Sequence, residues 1–358
     1  MYIFILYRLI VCYVFVLYHC VLEISVGPLR FVKEGFCGPW YARGGFMQSV
    51  LTSMLLSKLE TQVDKETVVA RDGQHIELEC LKSHIDIPRA VILVCHGIDG
   101  AGAKAPYLRP WGTIAQKQGF HVIVYNRRGY AQPLTSTSTR HPSYADPEDM
   151  TDVLEYIRRR YGKAMPIIGI GYSAGGIQVM KAIPFGMMHG VIGISTCYDI
   201  TKMIPHLKKT SWCNTYLGGF LSRFVRKNEE FYKKPIVMFP DGLCMDTYRA
   251  EQQGLSIEEY YAMQSSIKEI EHSNIPVLCI MAKNDPIFPV LETLKDLEKI
   301  AEKNYNVTVC ATDCGGHLGW IDRHHECWLY ENTILPFIQE ILLDVRVQLQ
   351  DVRVHLQV

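Results

Sequence analysis

The stretch IIGIGYSAGG, residues 167–176, places a serine between glycines directly after a run of apolar, mostly β-branched residues. Such a run is typical of a buried strand, and the residues after the serine, AGGIQVMKAI, are typical of a helix. Ser173 therefore lies at a sharp turn from strand to helix, where Gly171 and Gly175 avoid a side-chain clash. This context predicts a nucleophile elbow, although the G-x-S-x-G pattern alone is weak evidence.

Strand-like and helix-like stretches alternate along the rest of the chain. The clearest helical pattern covers residues 147–161, and ETVVARDGQHIELECLK, residues 66–82, has the alternation and central Asp-Gly of an antiparallel hairpin. This alternation predicts an α/β fold whose mostly parallel central sheet is covered by helices on both faces. Six short apolar runs that end in turn residues are predicted as buried strands: 90–97, 121–129, 166–173, 190–196, 275–282 and 305–312.

One interval, residues 198–274, breaks this rhythm. It contains no obvious sheet strand, but it has apolar residues at helical spacing beside lysines and arginines. An insertion over the carboxyl ends of the strands predicts a helical cap, while packing on the core is the alternative for any single helix. We expect one set of cap residues to face lipid: Phe220, Leu221, Phe224 and Val225, beside Lys208, Lys209, Arg223 and Arg226.

The amino terminus, MYIFILYRLIVCYVFVLYHCVLEISVG, has about twenty apolar or aromatic residues interrupted by Arg8. A helix of that length spans roughly 30 Å of hydrocarbon. We predict a transmembrane signal anchor over residues 1–27. We expect a single-pass protein of an endomembrane such as the endoplasmic reticulum, and the sequence leaves its orientation in the membrane open. The alternatives are a cleaved signal peptide and a buried core helix. The further divisions are a membrane-proximal segment over residues 28–60, a catalytic domain over residues 61–343 and a C-terminal tail over residues 344–358.

The charge balance excludes one class of partner. The chain has 37 Lys and Arg against 37 Asp and Glu, so no basic surplus indicates binding to nucleic acid. The twelve cysteines do not fall into C-x-x-C spacings, so they do not predict a zinc site. Small or lipidic substrates remain open.

A serine hydroxyl becomes a good nucleophile only when a base takes its proton and an acid orients the base. Asp285 follows the predicted strand 275–282, and His317 follows the strand 305–312. The order Ser, Asp, His, each after a separate strand, is that of α/β-hydrolases. The amides of Ile98, in CHGIDGAG, and Ala174 are candidate donors of an oxyanion hole. This chemistry needs no metal or organic cofactor.

Seven short segments of the sequence carry a family resemblance. From about residue 39 to 338 the chain resembles family four of the AB-hydrolases, which includes bacterial hydrolases and single-pass animal esterases and lipases of acylglycerols and phospholipids. The resemblance implies that Ser173, Asp285 and His317 are nucleophile, acid and base. Departures are Ser49, where threonine is expected, and Tyr172, where phenylalanine is commoner. The seven segments are PWYARGGFMQS, RDGQHIEL, HGIDGAGAKAPYLRP, YNRRG, GYSAGG, NDPIFP and GGHLGW.

The function that we expect is a membrane-anchored serine hydrolase that cleaves carboxylic esters of lipids, such as monoacylglycerols or phospholipids, through an acyl-enzyme. Its expected partners are the ester or lipid substrate and the membrane, with the oligomeric state open. One alternative is a ligand-binding or scaffold protein on the same fold that has lost catalysis. A serine peptidase is another, and an acyltransferase is a third because His317 and Asp322 have H-x-x-x-x-D spacing.

Overall fold

The computed structural model describes residues 22–25, 36, 38–58, 62–82, 85, 87–100, 102–136, 138–232 and 241–355. The anchor predicted over residues 1–27 lies outside this description, except that Leu22–Ser25 form a short strand. Within the described ranges, no helix has the length and apolar character needed to cross a membrane.

The centre of the fold is one sheet of nine strands, in the order β1-β9-β8-β7-β6-β4-β5-β3-β2. The six strands from β9 to β5 in this order run parallel, whereas β1, β3 and β2 pair antiparallel at the edges. The parallel strands therefore end at one common edge of the sheet. The strands are β1 (Leu22–Ser25), β2 (Asp64–Val69), β3 (His75–Leu81), β4 (Ala90–Cys95), β5 (Phe120–Tyr125), β6 (Ile167–Tyr172), β7 (Gly190–Ile194), β8 (Val277–Ala282) and β9 (Val307–Thr312).

Eleven α-helices lie in the described part of the chain, and a buried core lies on each face of the sheet. Alternate residues of β4 enter different cores: Val91 and Leu93 pack with α3 and α4, whereas Ile92 and Val94 pack with α2 and α11. The helices are α1 (Gly45–Leu56), α2 (Pro110–Gln118), α3 (Pro147–Tyr161), α4 (Ala174–Lys181), α5 (Met203–Lys209), α6 (Ser211–Lys227), α7 (Gly242–Glu251), α8 (Ile257–Gln264), α9 (Ile267–Glu271), α10 (Val290–Ala301) and α11 (Leu335–His355).

The predicted strands and the predicted hairpin are confirmed. Each of the six apolar runs overlaps one parallel strand, and β2 pairs with β3 from Asp64 opposite Cys80 to Val69 opposite His75. The prediction succeeds because strands that are buried on both faces need continuous apolar runs. At the carboxyl end, α11 continues through His355 into the segment that we named a tail.

The described residues of the predicted cap interval form helices α5 to α9. The expected lipid-facing side of α6 is wrong for Leu221, Phe224 and Val225, which are buried in the core, whereas Phe220 is half-buried. Burial of such a side chain contributes about 1.5–3 kcal/mol, so an apolar stripe packs inward when a core is available. The periodicity identified a helix but assigned its apolar stripe to the wrong surroundings.

Candidate active site

Ser173 lies between the last residue of β6 and the first residue of α4, with φ 54° and ψ −119°. L-residues adopt such a backbone only under strain. A Cβ on Gly171 would overlap the backbone of Gly175, and a Cβ on Gly175 would overlap the carbonyl of Cys95. The glycines therefore let β6, α4 and β4 approach closely, which holds Ser173 at the positive end of the helix dipole.

The predicted acid and base lie in line with this serine. The Nε2 atom of His317 is 3.0 Å from Ser173 Oγ, and its Nδ1 atom is 2.7 Å from Asp285 Oδ2. With the ring proton on Nδ1, the imidazole donates to the carboxylate and Nε2 can accept the serine proton. The side chain of Asp285 is fully buried, and its second oxygen accepts the N–H of Ile287 at 2.8 Å. The structure thus brings all three predicted residues together.

The two predicted oxyanion donors line the same pocket. The hydroxyl of Tyr107 accepts the N–H of Gly97 at 2.9 Å and donates to Asp99 at 2.8 Å. The amide of Gly97 is therefore engaged, and the next amide along the loop is that of Ile98. In the part of the chain that the structure describes, the amides of Ile98 and Ala174 have no hydrogen-bond partner. Both remain available for a developing oxyanion.

His96 lies fully buried under the oxyanion loop. Its Nδ1 donates to the carbonyl of Gly97 at 2.7 Å, and its Nε2 accepts the N–H of Arg127 at 3.3 Å. Burial, reinforced by the charge of Arg127, lowers the pKa of His96 to about 3, so the ring is neutral at neutral pH. The guanidinium of Arg127 donates to the same carbonyl at 2.6 Å. His96 therefore shapes this loop rather than acting as the base.

The loop that carries His317 is held by distant residues whose part in the site the sequence did not reveal. The hydroxyl of Ser49, in α1, accepts the N–H of His317 at 2.9 Å. The hydroxyl of Ser195 accepts the N–H of Leu318 at 3.2 Å. The amide oxygen of Asn284 accepts the N–H of Gly316, the residue before the histidine, at 3.0 Å. The segment PWYARGGFMQS, which overlaps α1, was one of the seven that carry the family resemblance. Nothing in it indicated where the helix packs.

Gln48 connects α1 to the same loop a second time. Its side-chain oxygen accepts the N–H of Ile321 at 2.8 Å, and its side-chain nitrogen donates to the carbonyls of Ile321 and Ala42. A Cβ on Gly45 would overlap the backbone of Asn284, next to the catalytic acid. Helix α1 therefore packs between the two loops that carry the acid and the base.

Left-handed backbone conformations are concentrated around the site. Ser173, Ser195, Leu318 and Trp320 have φ between 49° and 62° although none of them is glycine. Non-glycine residues rarely adopt such values, and those that do are found preferentially at functional sites.

The pocket in front of Ser173 is almost entirely apolar and encloses about 590 Å³ of empty space, part of it open to solvent. Cap helices α5 and α6 supply one wall, and residues after β7 supply another. An elongated aliphatic group is the ligand that such a lining favours. The aliphatic and aromatic residues of the lining are Ile98, Tyr144, Ala174, Ile177, Ile200, Met203, Leu207, Leu217, Leu221, Tyr261, Ile287 and Phe288.

One polar cluster reaches this pocket. Asp246 accepts hydrogen bonds from the hydroxyls of Tyr144 and Tyr261 at 2.8 and 2.9 Å, and it pairs with Arg249 at 2.9 Å. Burial raises the pKa of Asp246, whereas the charge of Arg249 opposes this effect. Both oxygens of the Asp246 carboxylate are engaged within the cluster, so it offers no free carboxylate to a ligand.

Two further residues singled out in the sequence have local roles. Asp322 accepts the amides of His324 and Glu326 at 2.8 and 3.0 Å, so the acid of the H-x-x-x-x-D spacing stabilises a turn. Tyr172, where phenylalanine is commoner, accepts the indole N–H of Trp111 at 2.9 Å and lies 3.0 Å from the hydroxyl of Tyr330. The departure is therefore accommodated by a buried hydrogen-bond network.

Comparisons with known proteins add to this geometry. Residues 86–317 match the family Hydrolase_4, described as serine aminopeptidase, S33. The chain is 25% identical over 313 residues to phospholipase ABHD3 of Bos taurus, covering 79% of this chain and 72% of that protein. It is 24% identical over 270 residues to monoacylglycerol lipase ABHD2 of Danio rerio, covering 68% and 61%.

A solved structure shares the fold. The esterase PF2001 of Pyrococcus furiosus superimposes with a TM-score of 0.54 at 14% identity, covering 88% of this chain and 100% of that one. At this identity the likeness is evidence for the fold alone.

Proposed function

We propose a reaction for a chain that belongs to the α/β-hydrolase superfamily and, within it, to the family described as serine aminopeptidase, S33. The predicted superfamily and the predicted enzyme class, an esterase or lipase, are confirmed at this level. The proposed reaction is hydrolysis of the carboxylic ester of a lipid through an acyl-enzyme on Ser173. The observation that carries it is the hydrogen-bonded line from Asp285 through His317 to Ser173, facing an apolar pocket.

In the proposed mechanism, His317 removes the proton of Ser173 as the serine oxygen attacks the ester carbonyl. The amides of Ile98 and Ala174 donate to the oxyanion of the tetrahedral intermediate. The protonated His317 then gives its proton to the leaving alcohol, and the acyl group stays on the serine. A water molecule, deprotonated by the same histidine, attacks the acyl-enzyme and releases the carboxylic acid. Throughout, Asp285 orients the imidazole and stabilises its positive charge.

The proposal of a lipid substrate is supported by the pocket and by the names of two relatives, a phospholipase and a monoacylglycerol lipase. A peptidase that binds a free amino terminus needs an unpaired carboxylate near the nucleophile. Among the described residues, the one acidic side chain in the lining is that of Asp246, which Arg249 and two tyrosines already engage. The pocket therefore favours an acyl chain over a peptide amine.

The proposal also includes attachment to a membrane, carried by the apolar sequence of residues 2–22. We expect full-length protein to stay in the membrane pellet after alkaline carbonate washing. Release by carbonate would remove the anchor from the proposal and leave the hydrolase untouched.

The test of the reaction is labelling with a fluorophosphonate probe, followed by identification of the modified peptide. We expect the adduct on Ser173, and we expect Ser173→Ala to lose labelling and to lower kcat on a short p-nitrophenyl ester by roughly 10⁴ to 10⁶. Ser195→Ala is the comparison, because Ser195 lines the same pocket; it should keep the label on Ser173, although loss of its bond to Leu318 should slow labelling. An adduct on Ser195 would refute the assignment.

The alternatives are distinguished by the same proteins. A binding or scaffold protein on this fold would neither label nor turn over, and an acyltransferase would consume the ester only with an added alcohol acceptor. An untargeted comparison of lipids from cells with active and Ser173→Ala protein would identify the acyl chain and the head group.

A further inference from the structure

The outer side of α6 carries three aromatic residues, Trp212, Tyr216 and Phe220, which we name the aromatic ladder. They recur at four-residue intervals and therefore lie along one side of the helix. Trp212 and Tyr216 are 46% and 53% exposed, and the rings of Tyr216 and Phe220 meet edge-on at 5.0 Å. On a neighbouring side of α6, Leu217 and Leu221 line the pocket with the catalytic serine. The aromatic ladder and part of the pocket wall are thus carried by the same helix.

This apolar surface continues onto α1. Phe46 is 60% exposed, and its ring meets that of Trp212 edge-on at 6.3 Å. The neighbouring Gly45 packs against Asn284 and Gly316, beside the acid and the base. The exposed rings therefore extend from the cap to the edge of the catalytic loops. A continuous exposed apolar patch of this kind marks an interaction surface.

The charged side chains of helices α5 and α6 have one sign. Residues 203–228, which contain α5 and α6, include five lysines and arginines and no aspartate or glutamate, in a chain with zero net charge. The guanidinium of Arg223 lies over the ring of Phe220 at 4.6 Å. Exposed aromatic rings beside cations are typical of protein segments that lie in the interface of anionic lipid bilayers. The basic residues are Lys208, Lys209, Arg223, Arg226 and Lys227.

We propose that the aromatic ladder, together with Phe46 and these basic residues, docks on the surface of an anionic bilayer. Lipid can then pass from the leaflet into the pocket beside the docked surface. The delivery of lipid to the active site rests on the proposed function. Docking itself can be measured without it, because docking does not require turnover. A second copy of the chain is a poor occupant of this surface, since a symmetric contact would bring two groups of five like charges together.

Tryptophan fluorescence can test the docking directly in the full-length chain. The five tryptophans are residues 40, 111, 212, 320 and 328, so insertion of an amino-terminal anchor adds no tryptophan signal. Full-length Ser173→Ala protein would be reconstituted into phosphatidylglycerol vesicles with brominated acyl chains, which quench only rings close to the chains. We expect quenching that Trp212→Phe abolishes and that Trp40→Phe preserves. Quenching equal in all three proteins, or lost with Trp40→Phe alone, would overturn the proposal.

The charge component has its own comparison. Brominated phosphatidylcholine vesicles, which lack net charge, should quench Trp212 less than phosphatidylglycerol vesicles do. Lys208→Glu with Lys209→Glu should reduce this difference, because both lysines are exposed near the carboxyl end of α5. Quenching that is the same on both lipids in the native sequence would show that anionic lipid is not the partner.

The activity comparison uses an active protein with two paired substitutions. Phe46→Ala with Trp212→Ala should lower hydrolysis of vesicle lipid about tenfold and hydrolysis of a soluble p-nitrophenyl ester less than about twofold, since neither residue lines the pocket. Tyr305→Ala is the matched control, because Tyr305 is 77% exposed just before β9, at the opposite edge of the sheet. Equal losses on both substrates would overturn the proposal.

The two proposals can fail separately. If the native protein hydrolyses neither substrate, the proposed function fails, while the quenching of the Ser173→Ala protein still reports docking. The lipid inference would be wrong if three results came together: the native protein dimerises, the Phe46→Ala and Trp212→Ala protein is monomeric, and neither protein shows quenching. The surface would then join two copies of the chain.

Discussion

The nucleophile and the base are held in the active site by different kinds of contact. Ser173 is positioned mainly by one strand, one turn and one helix that follow each other in the chain, and its N–H bonds to Ile194 in the neighbouring strand β7 at 2.8 Å. The loop of His317 instead depends on Ser49, which is 268 residues away in sequence. One half of the site is assembled by local structure, and the other half is assembled only when the fold is complete.

This difference predicts how substitutions act in each half. A change at the nucleophile removes the reacting atom itself. A change among the residues that hold the base leaves every reacting atom present and shifts the position of the imidazole, to which the reaction rate is sensitive. Long-range contacts should therefore show graded effects on kcat with little effect on substrate affinity.

The largest expected effect on the base side follows from Asp285→Asn. The asparagine keeps the shape of the side chain but favours the wrong tautomer of His317, so we expect kcat to fall by roughly 10³ to 10⁴. Steady-state kinetics on a soluble ester would measure it. Asp322→Asn and Asp313→Asn are the controls and should stay active; loss of turnover in either, with Asp285→Asn active, would assign the acid differently.

A smaller effect is expected from Ser49→Ala, which removes the hydroxyl that accepts the N–H of His317. We expect kcat to fall about tenfold with KM nearly constant, because the base shifts while the pocket is unchanged. Ser49→Thr keeps a hydroxyl and should restore kcat. Ser53→Ala is the matched control, since it removes a similar bond to the helix backbone one turn further on. An equal loss in Ser53→Ala would mean that the effect is on α1 rather than on the histidine.

A further expected effect concerns stability rather than rate, on the nucleophile side. Burial, with the charge of Arg127, lowers the pKa of His96 to about 3, whereas the unfolded chain protonates this histidine near 6.5. The free energy of unfolding should therefore fall as the pH decreases from about 6.5 towards 3, since the unfolded state binds the proton first. Urea unfolding at several pH values would show a shallower dependence for His96→Asn.

Other buried histidines change stability in the same direction, so the native curve alone does not isolate His96. Burial lowers the pKa of four further histidines, which are present in both proteins: His121, His141, His189 and His206. The difference between the native and His96→Asn curves therefore belongs to His96. Parallel curves would show that its proton affinity is not altered by folding.

The same contrast explains how far the sequence could predict this molecule. The six strands, the hairpin and the order of Ser173, Asp285 and His317 depend on short patterns that are visible directly in the sequence. Helix α6 was found by its period, but a period does not say whether the apolar stripe meets a core or a membrane. The role of α1 was missed because a hydrogen bond across 268 residues leaves no local pattern in the chain.

The left-handed backbone at Ser195 and Leu318 has a consequence for selection under heat. Such conformations cost about 1–3 kcal/mol each in non-glycine residues, and glycine adopts them without that cost. Laboratory evolution towards heat resistance alone would therefore favour glycine at these positions, and evolution towards turnover would oppose it, because the hydroxyl of Ser195 bonds the loop of the base. The two pressures meet at the same few residues, so a thermostable variant that keeps its activity must gain its stability far from the site.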